Sequence, residues 1–502
     1  MNKQALEQSV RYADANAKSV LSHRLPSKAL IADLSEESFY EFDIPQAYLE
    51  KYAGGPALGT RLWADFAGYS VDDPACLESE NPIVAIPSVS GTEQTCIVFC
   101  SPATGNLAFN NFFSSLSVAP YTALVIVGRL KKKGVVKYES GTCSFEYTDS
   151  LSDKNTSEIN SVYPNCIACG RAGDNAVTFA TCIHNNHTTG RGGLGYVFAA
   201  KNIKALVLEK EEKESSVRIN DNKLIQLANR YGWAPVSNFS LRYDPRLFYL
   251  CPVKSPSSIP YDARLMLGSN CNTFDISKVQ KRYEFCIENS LDPVSAGNIL
   301  GAYITQNKET DFKDNTKVMH LLEMLVKNAD IYAGLEDELY EINGLECGPY
   351  DYRGCFAQSL SDGLGNCFPV FFALKRTGFS KDFAKLVSFN EMLVYGLQSL
   401  GISENVIFSL LDSKPNLKRI SYAITHTIKS TVPFRSILKV GENCRSLIRR
   451  VNAHLKILMP SVPDYFCIEP ECNYSDKTVV PFRTLLNNYS NICNEEEYGK
   501  NN

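Results

Sequence analysis

The stretch that decides the fold is His187-Thr-Thr-Gly-Arg-Gly-Gly-Leu-Gly195, which leads into an apolar segment ending at Val207. Its four glycines permit positive φ angles and a close approach of other backbone. They also leave N–H groups free to face an anion. Alone, such a loop could equally be a tight turn. The polar residues before it, from Cys182 to Thr189, disfavour a dinucleotide fingerprint, which would follow a parallel strand.

Upstream of this loop the chain carries short runs of β-branched and aromatic residues separated by Gly, Pro and Asn. These runs are Ile83–Ile86, Thr95–Cys100, Tyr121–Leu130 and Lys201–Leu208. Their spacing predicts a β-rich layer up to about residue 210. The Lys131-Lys-Lys-Gly134 segment, between two apolar runs, predicts a solvated hairpin turn.

Downstream of the charged stretch Glu209–Glu214 the periodicity becomes helical. Apolar residues recur on one face behind the cap Asp275, at Ile276, Val279, Tyr283 and Cys286, and again over 224–231, 316–328, 381–400 and 436–458. The polar tail Asn494–Asn502 is expected to fray. The sequence shows no internal repeat, and it predicts a mainly helical second part.

Composition bounds the class of protein. With 502 residues the chain is long enough for two or three domains. A net charge of −4 without a basic block gives no case for binding nucleic acid or an anionic membrane surface. The first twenty residues lack the apolar core of a signal peptide, and Ala119–Val127 is too short to span a bilayer. A cytoplasmic protein is expected, with most of its 17 cysteines packed as small apolar side chains.

Further segments join the glycine loop in a fixed order along the chain. They are Gly54–Gly59, Asn81–Gly105, Gly170–Ala180, Leu291–Gly297, Tyr350–Gly354, Ser399–Ile402 and Leu438–Glu442. In this order they resemble the aldehyde:ferredoxin oxidoreductase family, the tungsten- or molybdenum-pterin enzymes. The resemblance covers nearly the whole chain, which is shorter than the usual member.

The resemblance implies an α+β fold. Residues 1–212 would form a β-rich N-terminal domain of two packed sheets related by a pseudo-twofold, and residues 213–502 the mainly α-helical domains that follow it. It also implies a dimer.

The family's redox centres would need ligands that this chain largely lacks. Family members hold two pterins around one tungsten or molybdenum atom, with a bridging magnesium and a neighbouring [4Fe–4S] cluster. That cluster needs four thiolates, because soft sulfur ligands hold its iron. At the family's CxxCxxxC run this chain has Phe248, Cys251 and Ser255, and the fourth position falls on Ser403. Cys251 would be a vestigial ligand, and no [4Fe–4S] cluster is expected.

The pterin site is changed as well. By resemblance, the cofactor-binding residues would be Gly190, Arg191, Gly192, Gly193, Asn111 (with Asn110 as the alternative), Asp292 and Gly401. Two phosphate-binding arginines of the family are replaced by Gln94 and His187, and Thr188 takes the place of a magnesium-binding alanine. The leading aspartates of the two DxxGL segments fall on Ile287 and Gln398.

The family's catalytic residues are not matched. Its proton-transfer carboxylate falls on Lys281 and its active-site histidine near Phe368. Phenylalanine cannot act as a general acid or base, and lysine would need a strongly lowered pKa. Asp262 is the one candidate catalytic carboxylate, with a solvated helix cap as the alternative.

Two other motifs have metal-like spacing. Cys166-Ile-Ala-Cys169 is either a pair of packed thiols or a metal or redox motif. His184 and His187 would share a face only if their Asn-rich loop were helical, and they could instead bond to backbone.

These observations leave two main hypotheses. The chain is either a non-catalytic paralogue or subunit, paired with itself or with an intact paralogue, or an active, divergent metallopterin enzyme without the usual cluster. Ferredoxin would be a partner only of the active enzyme. A cavity for some other small molecule is a third alternative. Neither nucleic acid nor a membrane is expected as a partner.

Overall fold

A computed structural model gives the fold of the chain. It describes residues 26–67, 80–87, 94–210 without 113 and 115, 259–307, 314–328, 341–347 without 343, 356–364, 381–401, 434–455 and 479–498, with single residues at 335, 462 and 467. The expectations for Cys251, Ser403, Phe368 and the helix over 224–231 fall outside these residues.

The chain divides into two compact units, and neither is continuous in sequence. The first contains residues 1–170, 181–219 and 389–458, and the second contains residues 171–180, 220–388 and 459–502.

The described strands, in chain order, are β1 (Lys28–Asp33), β2 (Ser38–Asp43), β3 (Ile83–Pro87), β4 (Thr95–Cys100), β5 (Leu107–Phe112), β6 (Leu116–Ser117), β7 (Ala123–Val127), β8 (Gly134–Glu139), β9 (Thr142–Tyr147), β10 (Ile167–Ala168), β11 (Ile183–His184), β12 (His187–Thr188), β13 (Ile203–Val207), β14 (Glu209–Lys210), β15 (Glu341–Ile342) and β16 (Leu345–Glu346).

Two six-stranded sheets form the base of the first unit, in the orders β2-β1-β7-β3-β4-β5 and β9-β8-β13-β10-β11-β12. Each sheet begins with an antiparallel hairpin, β1–β2 in one sheet and β8–β9 in the other. The first strand of each hairpin runs parallel to the strand that comes last in the chain, β7 or β13. The three remaining strands then follow in antiparallel order in both sheets. The same topology therefore occurs twice, which confirms the predicted pair of sheets and agrees with the pseudo-twofold that the resemblance implies.

The outer strands of the two hairpins meet through aromatic rings. Phe39 on β2 stacks on Phe145 on β9 with ring centroids 4.3 Å apart and an interplanar angle of 15°. Stacked rings at this separation add to the stability that their burial provides. Strands at equivalent places in the two sheets are thus in contact.

The segment Lys131–Gly134 does not form the predicted hairpin turn. It connects β7 in one sheet to β8 in the other. The neighbours of β7 are β1 and β3, and those of β8 are β9 and β13. Both strands have their hydrogen-bonding edges filled by other partners, so the lysine segment is a crossover between sheets.

The described helices, in chain order, are α1 (Gln46–Tyr52), α2 (Gly55–Phe66), α3 (Thr156–Val162), α4 (Arg171–Asp174), α5 (Leu194–Ala200), α6 (Tyr261–Leu267), α7 (Ile276–Asn289), α8 (Pro293–Gln306), α9 (Asn315–Val326), α10 (Phe356–Gly363), α11 (Lys381–Ser399), α12 (Phe434–His454) and α13 (Phe482–Tyr498). The helices predicted at 276–286, 316–328, 381–400 and 436–458 are confirmed within a few residues.

Helix α7 shows how the sequence specifies these elements. Its N-cap is the predicted Asp275, whose carboxylate accepts a hydrogen bond of 2.9 Å from the backbone N–H of Ser277. Val279, Tyr283 and Cys286 are buried on one face, as their spacing predicts. The cap satisfies one of the donors that a helix start leaves unpaired, and the stripe provides the packing.

Helices also complete the first unit. Helix α2 packs on β3 and β4 and against α12. Where α11 meets α12, backbone touches backbone: a Cβ on Gly441 would lie 1.7 Å from the carbonyl oxygen of Met392, and one on Gly396 would lie 2.1 Å from that of Ile437. No side chain fits at either position.

The C-terminal tail differs from its prediction. Helix α13 runs from Phe482 to Tyr498, through residues expected to fray from 494 onward. Its apolar residues Leu485, Tyr489 and Ile492 are buried. Their spacing of three and four residues makes an apolar stripe whose burial stabilises the helix despite its polar end.

Candidate functional site

The glycine loop lies between the β11–β12 hairpin and helix α5. Gly190, Gly192 and Gly193 have φ angles of +145°, +97° and +87°. Residues with a Cβ rarely adopt these conformations, so this backbone path needs glycine at all three positions. The conformation of this loop therefore depends on its glycines.

The loop passes directly over strand β5. A Cβ on Gly190 would lie 2.6 Å from Oδ1 of Asn110, and one on Gly192 would lie 3.2 Å from the Cβ of Ala108. Asn110 and Ala108 share a face of β5 because side chains alternate along a strand. The predicted ligand Asn111 is the next residue, so its side chain points to the other face. The asparagine that lies against the loop is Asn110.

Both ends of the loop are tied to the second sheet. The hydroxyl of Thr181 donates to the carbonyl of Gly190 at 2.7 Å, and the N–H of Thr189 donates to the carbonyl of Cys182 at 2.9 Å. At the far end the thiol of Cys169 donates to the carbonyl of Gly195 at 3.2 Å. These contacts hold the loop in place from β11 and from the end of β10.

Several buried polar groups on β5, in the turn before it and on the loop have no hydrogen-bond partner among the described residues. They are the side-chain amide nitrogens of Asn106, Asn110 and Asn111, the amide oxygen of Asn106 and the hydroxyl of Thr189. Burying such a group without a partner costs on the order of 1–3 kcal/mol. Sequence reasoning did not identify Asn106 or the Thr189 hydroxyl. Of these groups, the Asn110 amide nitrogen and the Thr189 hydroxyl lie at the loop, and both could donate to a polar ligand there.

Positive charge around the loop is sparse. Arg191 is half-buried within the loop, whereas His187 is exposed on the edge strand β12. Gln94, where the family has arginine, is a buried neutral side chain with 7% of its surface exposed. A doubly charged phosphate buried at this place would want more cations than these residues supply.

A second feature of the first unit surrounds the N-terminus of α2. The N–H of Ala57 donates to the hydroxyl of Ser399 at 3.3 Å. The N–H of Gly401, which has a φ of +75°, donates to the carbonyl of Gln398 at 2.9 Å. The Gln398 side chain is 2% exposed, and neither end of its amide has a partner among the described residues. The positive φ of Gly401 therefore allows the turn that positions the Gln398 side-chain amide.

Asp292 lies in the second unit and caps helix α8. Its carboxylate accepts hydrogen bonds from the N–H groups of Val294 at 3.1 Å and Ser295 at 3.4 Å, and from the Ser295 hydroxyl at 2.7 Å. These are the contacts of a buried N-cap. The cap role accounts for this aspartate by structure alone.

The candidate catalytic carboxylate, Asp262, lies in the first turn of α6. It is half-buried, and Lys281 is exposed on α7. A carboxylate in the first turn interacts favourably with the helix dipole, while the N-cap residue of this helix is Pro260.

The cysteine and histidine motifs have structural surroundings. Cys166 and Cys169 flank β10 and are fully buried. His184 and His187 lie opposite each other in a hairpin, turned by Asn185 and Asn186 with φ of +49° and +62°. They do not lie on a helix.

The His184 ring is held by its neighbours. Its Nδ1 is 3.2 Å from the Cys166 carbonyl, and its Nε2 is 2.9 Å from the Asn185 amide nitrogen. Burial lowers the pKa of His184, so the ring is neutral and hydrogen-bonded. Across the described ranges no three His, Cys, Asp or Glu side chains are grouped to hold a metal. Nor does any helix described there have the length and apolarity to cross a bilayer.

Comparison with known proteins matches the first part of the chain to a family model and finds distant relatives. Residues 29–210 match the family model described as aldehyde ferredoxin oxidoreductase, N-terminal domain. The tungsten-containing aldehyde ferredoxin oxidoreductase of Pyrococcus furiosus is 24% identical over 412 residues, covering 62% of this chain and 68% of that protein. The Thermococcus kodakarensis protein of the same name is 24% identical over 414 residues, with coverage of 62% and 68%.

Two further likenesses point the same way. The aliphatic sulfonate oxidoreductase, WOR-like subunit, of Pyrococcus furiosus is 23% identical over 431 residues, covering 64% of this chain and 69% of that protein. A solved active-site complex BamBC of benzoyl coenzyme A reductase with 1,5-dienoyl-CoA shares the fold, with a TM-score of 0.66, 14% identity and coverage of 94% of this chain and 97% of that one. Residues 29–210 thus match the N-terminal domain of aldehyde ferredoxin oxidoreductases, and the chain resembles that family at low identity.

Proposed function

We propose that this protein is a non-catalytic member of its family, which keeps the polypeptide framework of the site and acts as a subunit or paralogue of an active enzyme. One observation carries the proposal. The four positions that resemble the family's cluster ligands contain one cysteine, Cys251, with Phe248, Ser255 and Ser403 at the others. A single thiolate cannot hold a four-iron cluster, and electrons from an aldehyde would have no exit.

The buried thiols elsewhere support this proposal. Burial raises the pKa of Cys166 to about 12 and raises the pKa of Cys182 and Cys444 well above the ordinary value. The thiolate is the form that binds metal, and these environments disfavour it. Asp292, as a helix cap, also has a structural reason to persist without a cofactor.

The relatives suggest how such a chain could be used. One relative is named as a subunit, and the solved structure with the same fold is a complex. We therefore propose a heteromer with an intact paralogue, with a homodimer as the alternative arrangement.

A second candidate function rests on the polar groups at the loop. The unpartnered amide nitrogen of Asn110 and the glycine path Gly190–Gly193 favour retention of a phosphate-bearing pterin with its magnesium, held also by Arg191. A tungsten or molybdenum pterin would supply two-electron oxidation of an aldehyde to a carboxylate. The protein would then be a divergent metallopterin enzyme.

Metal analysis of the purified protein separates the two candidates. The proposal expects tungsten, molybdenum and iron far below one atom per chain, together with an intact paralogue that co-purifies from the native source. Tungsten or molybdenum near one atom per chain would overturn it. About four irons per chain would overturn the assignment of the cluster positions as well.

A matched gain-of-ligand experiment tests those positions directly. The triple variant Phe248→Cys, Ser255→Cys and Ser403→Cys is reconstituted anaerobically with iron and sulfide, beside the same chain carrying Cys251→Ser in addition. About four irons in the triple variant and a strong loss in the control are expected. Equal iron in both would show that Cys251 does not mark the former cluster site.

A further inference from the structure

Cys169, the second cysteine of the Cys166–Cys169 motif, faces Cys182 across neighbouring strands. Strands β10 and β11 pair antiparallel with Ala168 opposite Ile183. Extending this register by one residue places Cys169 opposite Cys182. Neither cysteine is part of a disulfide, and both are fully buried. Directly opposite residues of an antiparallel pair project to the same face of the sheet.

The hydrogen bonds define which kind of pair this is. The N–H of Cys169 donates to the carbonyl of Lys204 on β13 at 2.9 Å, and the carbonyl of Cys182 accepts from Thr189 at 2.9 Å. The polar groups of the two cysteines thus point away from each other. In such a non-hydrogen-bonded pair the Cα atoms lie about 4.5 Å apart. That separation is within the range of about 4.4–6.8 Å that a disulfide spans.

Electrostatics agree that the thiols are close. Burial is the main cause that raises the pKa of Cys182, and Cys169 is the next cause, followed by Cys166. Lys204 acts in the opposite direction and favours the Cys182 thiolate. A thiolate that formed there would have a cation nearby and a second thiol opposite.

The pair also sits at both attachments of the glycine loop. The Cys169 thiol donates to the carbonyl of Gly195, and the carbonyl of Cys182 accepts from the N–H of Thr189. A disulfide between Cys169 and Cys182 would break the hydrogen bond from the Cys169 thiol to the Gly195 carbonyl. It would also bring the two points that hold the loop closer together. The loop would then lie differently against β5.

We propose that Cys169 and Cys182 form a redox-sensitive dithiol whose closure to a disulfide repositions the Gly190–Gly195 loop. A low-molecular-weight disulfide is the oxidant. When the β11–β12 hairpin opens and exposes Cys182 to solvent, its thiolate attacks one of the sulfurs of this reagent and releases a thiol. The Cys169 thiolate then attacks the mixed disulfide at the Cys182 sulfur and releases the second thiol. Two S–H bonds are lost, one protein S–S bond forms, and the reagent takes up two electrons and two protons. The proposal is independent of whether the protein is catalytic.

Access for the oxidant comes from the hairpin. Strands β11 and β12 have two residues each, β12 is at the edge of the sheet, and Asn185 to His187 are exposed. So short an edge element opens locally at low free-energy cost, and opening it uncovers Cys182.

The test uses the full chain, oxidised with excess oxidised glutathione or kept reduced, followed by peptide mapping under non-reducing conditions. A peptide pair joined through Cys169 and Cys182 is expected in wild type and in Cys166→Ser, and is expected to be absent in Cys169→Ser and Cys182→Ser. Failure to find it in wild type under native conditions, or its replacement by a Cys166 cross-link, would overturn the proposal.

Trypsin cleavage after Arg191 reports on the loop itself. A change of about tenfold or more in the cleavage rate is expected between oxidised and reduced wild type, because cleavage follows loop opening. No change is expected in Cys182→Ser. A cross-linked wild type that is cleaved at the reduced rate would refute the effect on the loop.

Discussion

The side chain of Asn110 lies directly against Gly190, where a Cβ would come within 2.6 Å of the amide oxygen. The glycine therefore permits both the close approach and the φ of +145°. The asparagine supplies the amide that faces the loop. This contact joins β5, the edge strand of the first sheet, to the loop that follows β12 of the second sheet.

Substitution at this contact tests the loop. Gly190→Ala is expected to reduce the free energy of unfolding by about 1–3 kcal/mol, because the backbone strain and the clash act together. Urea denaturation measures the change. Gly105→Ala, at a φ of +69° with no atom within 4 Å, is the control and should cost about 1 kcal/mol or less. Adding Asn110→Ala to Gly190→Ala should relieve the clash but leave the backbone strain, so the free energy of unfolding should recover only in part. Full recovery to the wild-type value would contradict this account.

The crossing of α11 and α12 is expected to be the least tolerant place in the first unit. Gly441→Ala should destabilise the protein by about 3 kcal/mol or more, because the added methyl meets the Met392 backbone and no rotamer avoids it. Thermal unfolding and soluble yield provide the measurement. Ser446→Ala, on the same helix and half-exposed, should change stability by less than about 0.5 kcal/mol. Similar losses for both variants would argue against a backbone contact.

Asp292 should behave as a cap. Asp292→Ala is expected to cost about 1–2 kcal/mol of unfolding free energy, and Asp292→Ser substantially less, since serine can still accept from the first-turn N–H groups. Chemical denaturation of both variants measures the difference. If both cost the same, capping is not the reason for this residue.

Lys201 should make stability depend on pH. Burial lowers its pKa from 10.5 to about 7, and its Nζ donates to the Gly128 carbonyl at 2.9 Å. Between these two pKa values the unfolded chain holds one more proton than the folded protein. The free energy of unfolding therefore rises with pH there, by about 1.4 kcal/mol per pH unit. The stability that uncharged Lys201 contributes is complete above its pKa in the unfolded chain. It is lost as the pH falls through its pKa in the folded protein.

Urea titrations at pH 7, 8 and 9 on wild type and Lys201→Met isolate this effect, because the other groups cancel in the difference. The stability of wild type relative to the variant should increase with pH. Parallel pH profiles would show that Lys201 stays charged when folded.

Local elements follow closely from the sequence, because their causes are local. The cap and stripe of α7 need only Asp275 and residues within four positions of each other. The buried strands β3, β4 and β13 appear where β-branched runs predict them. Errors arise where distant partners decide. The lysine segment at 131–134 becomes a crossover because β7 and β8 pair elsewhere, and α13 extends into a polar tail because its apolar stripe is buried.

The site shows the same division. The glycines of the loop are readable from sequence, since positive φ is a property of single residues. The choice of Asn110 over Asn111 depends on which face of β5 meets the loop, and the buried amides of Asn106 and Gln398 are visible only through what surrounds them.

The sequence by itself determined the resemblance to a family and the β-rich beginning and helical continuation of the chain, because these depend on residue type and order. Only the tertiary structure decided which strands pair in each sheet, the contact of Asn110 with Gly190 and the placement of Cys169 opposite Cys182. Strand pairing and burial bring together residues far apart in the chain, and no local pattern encodes which partners will meet.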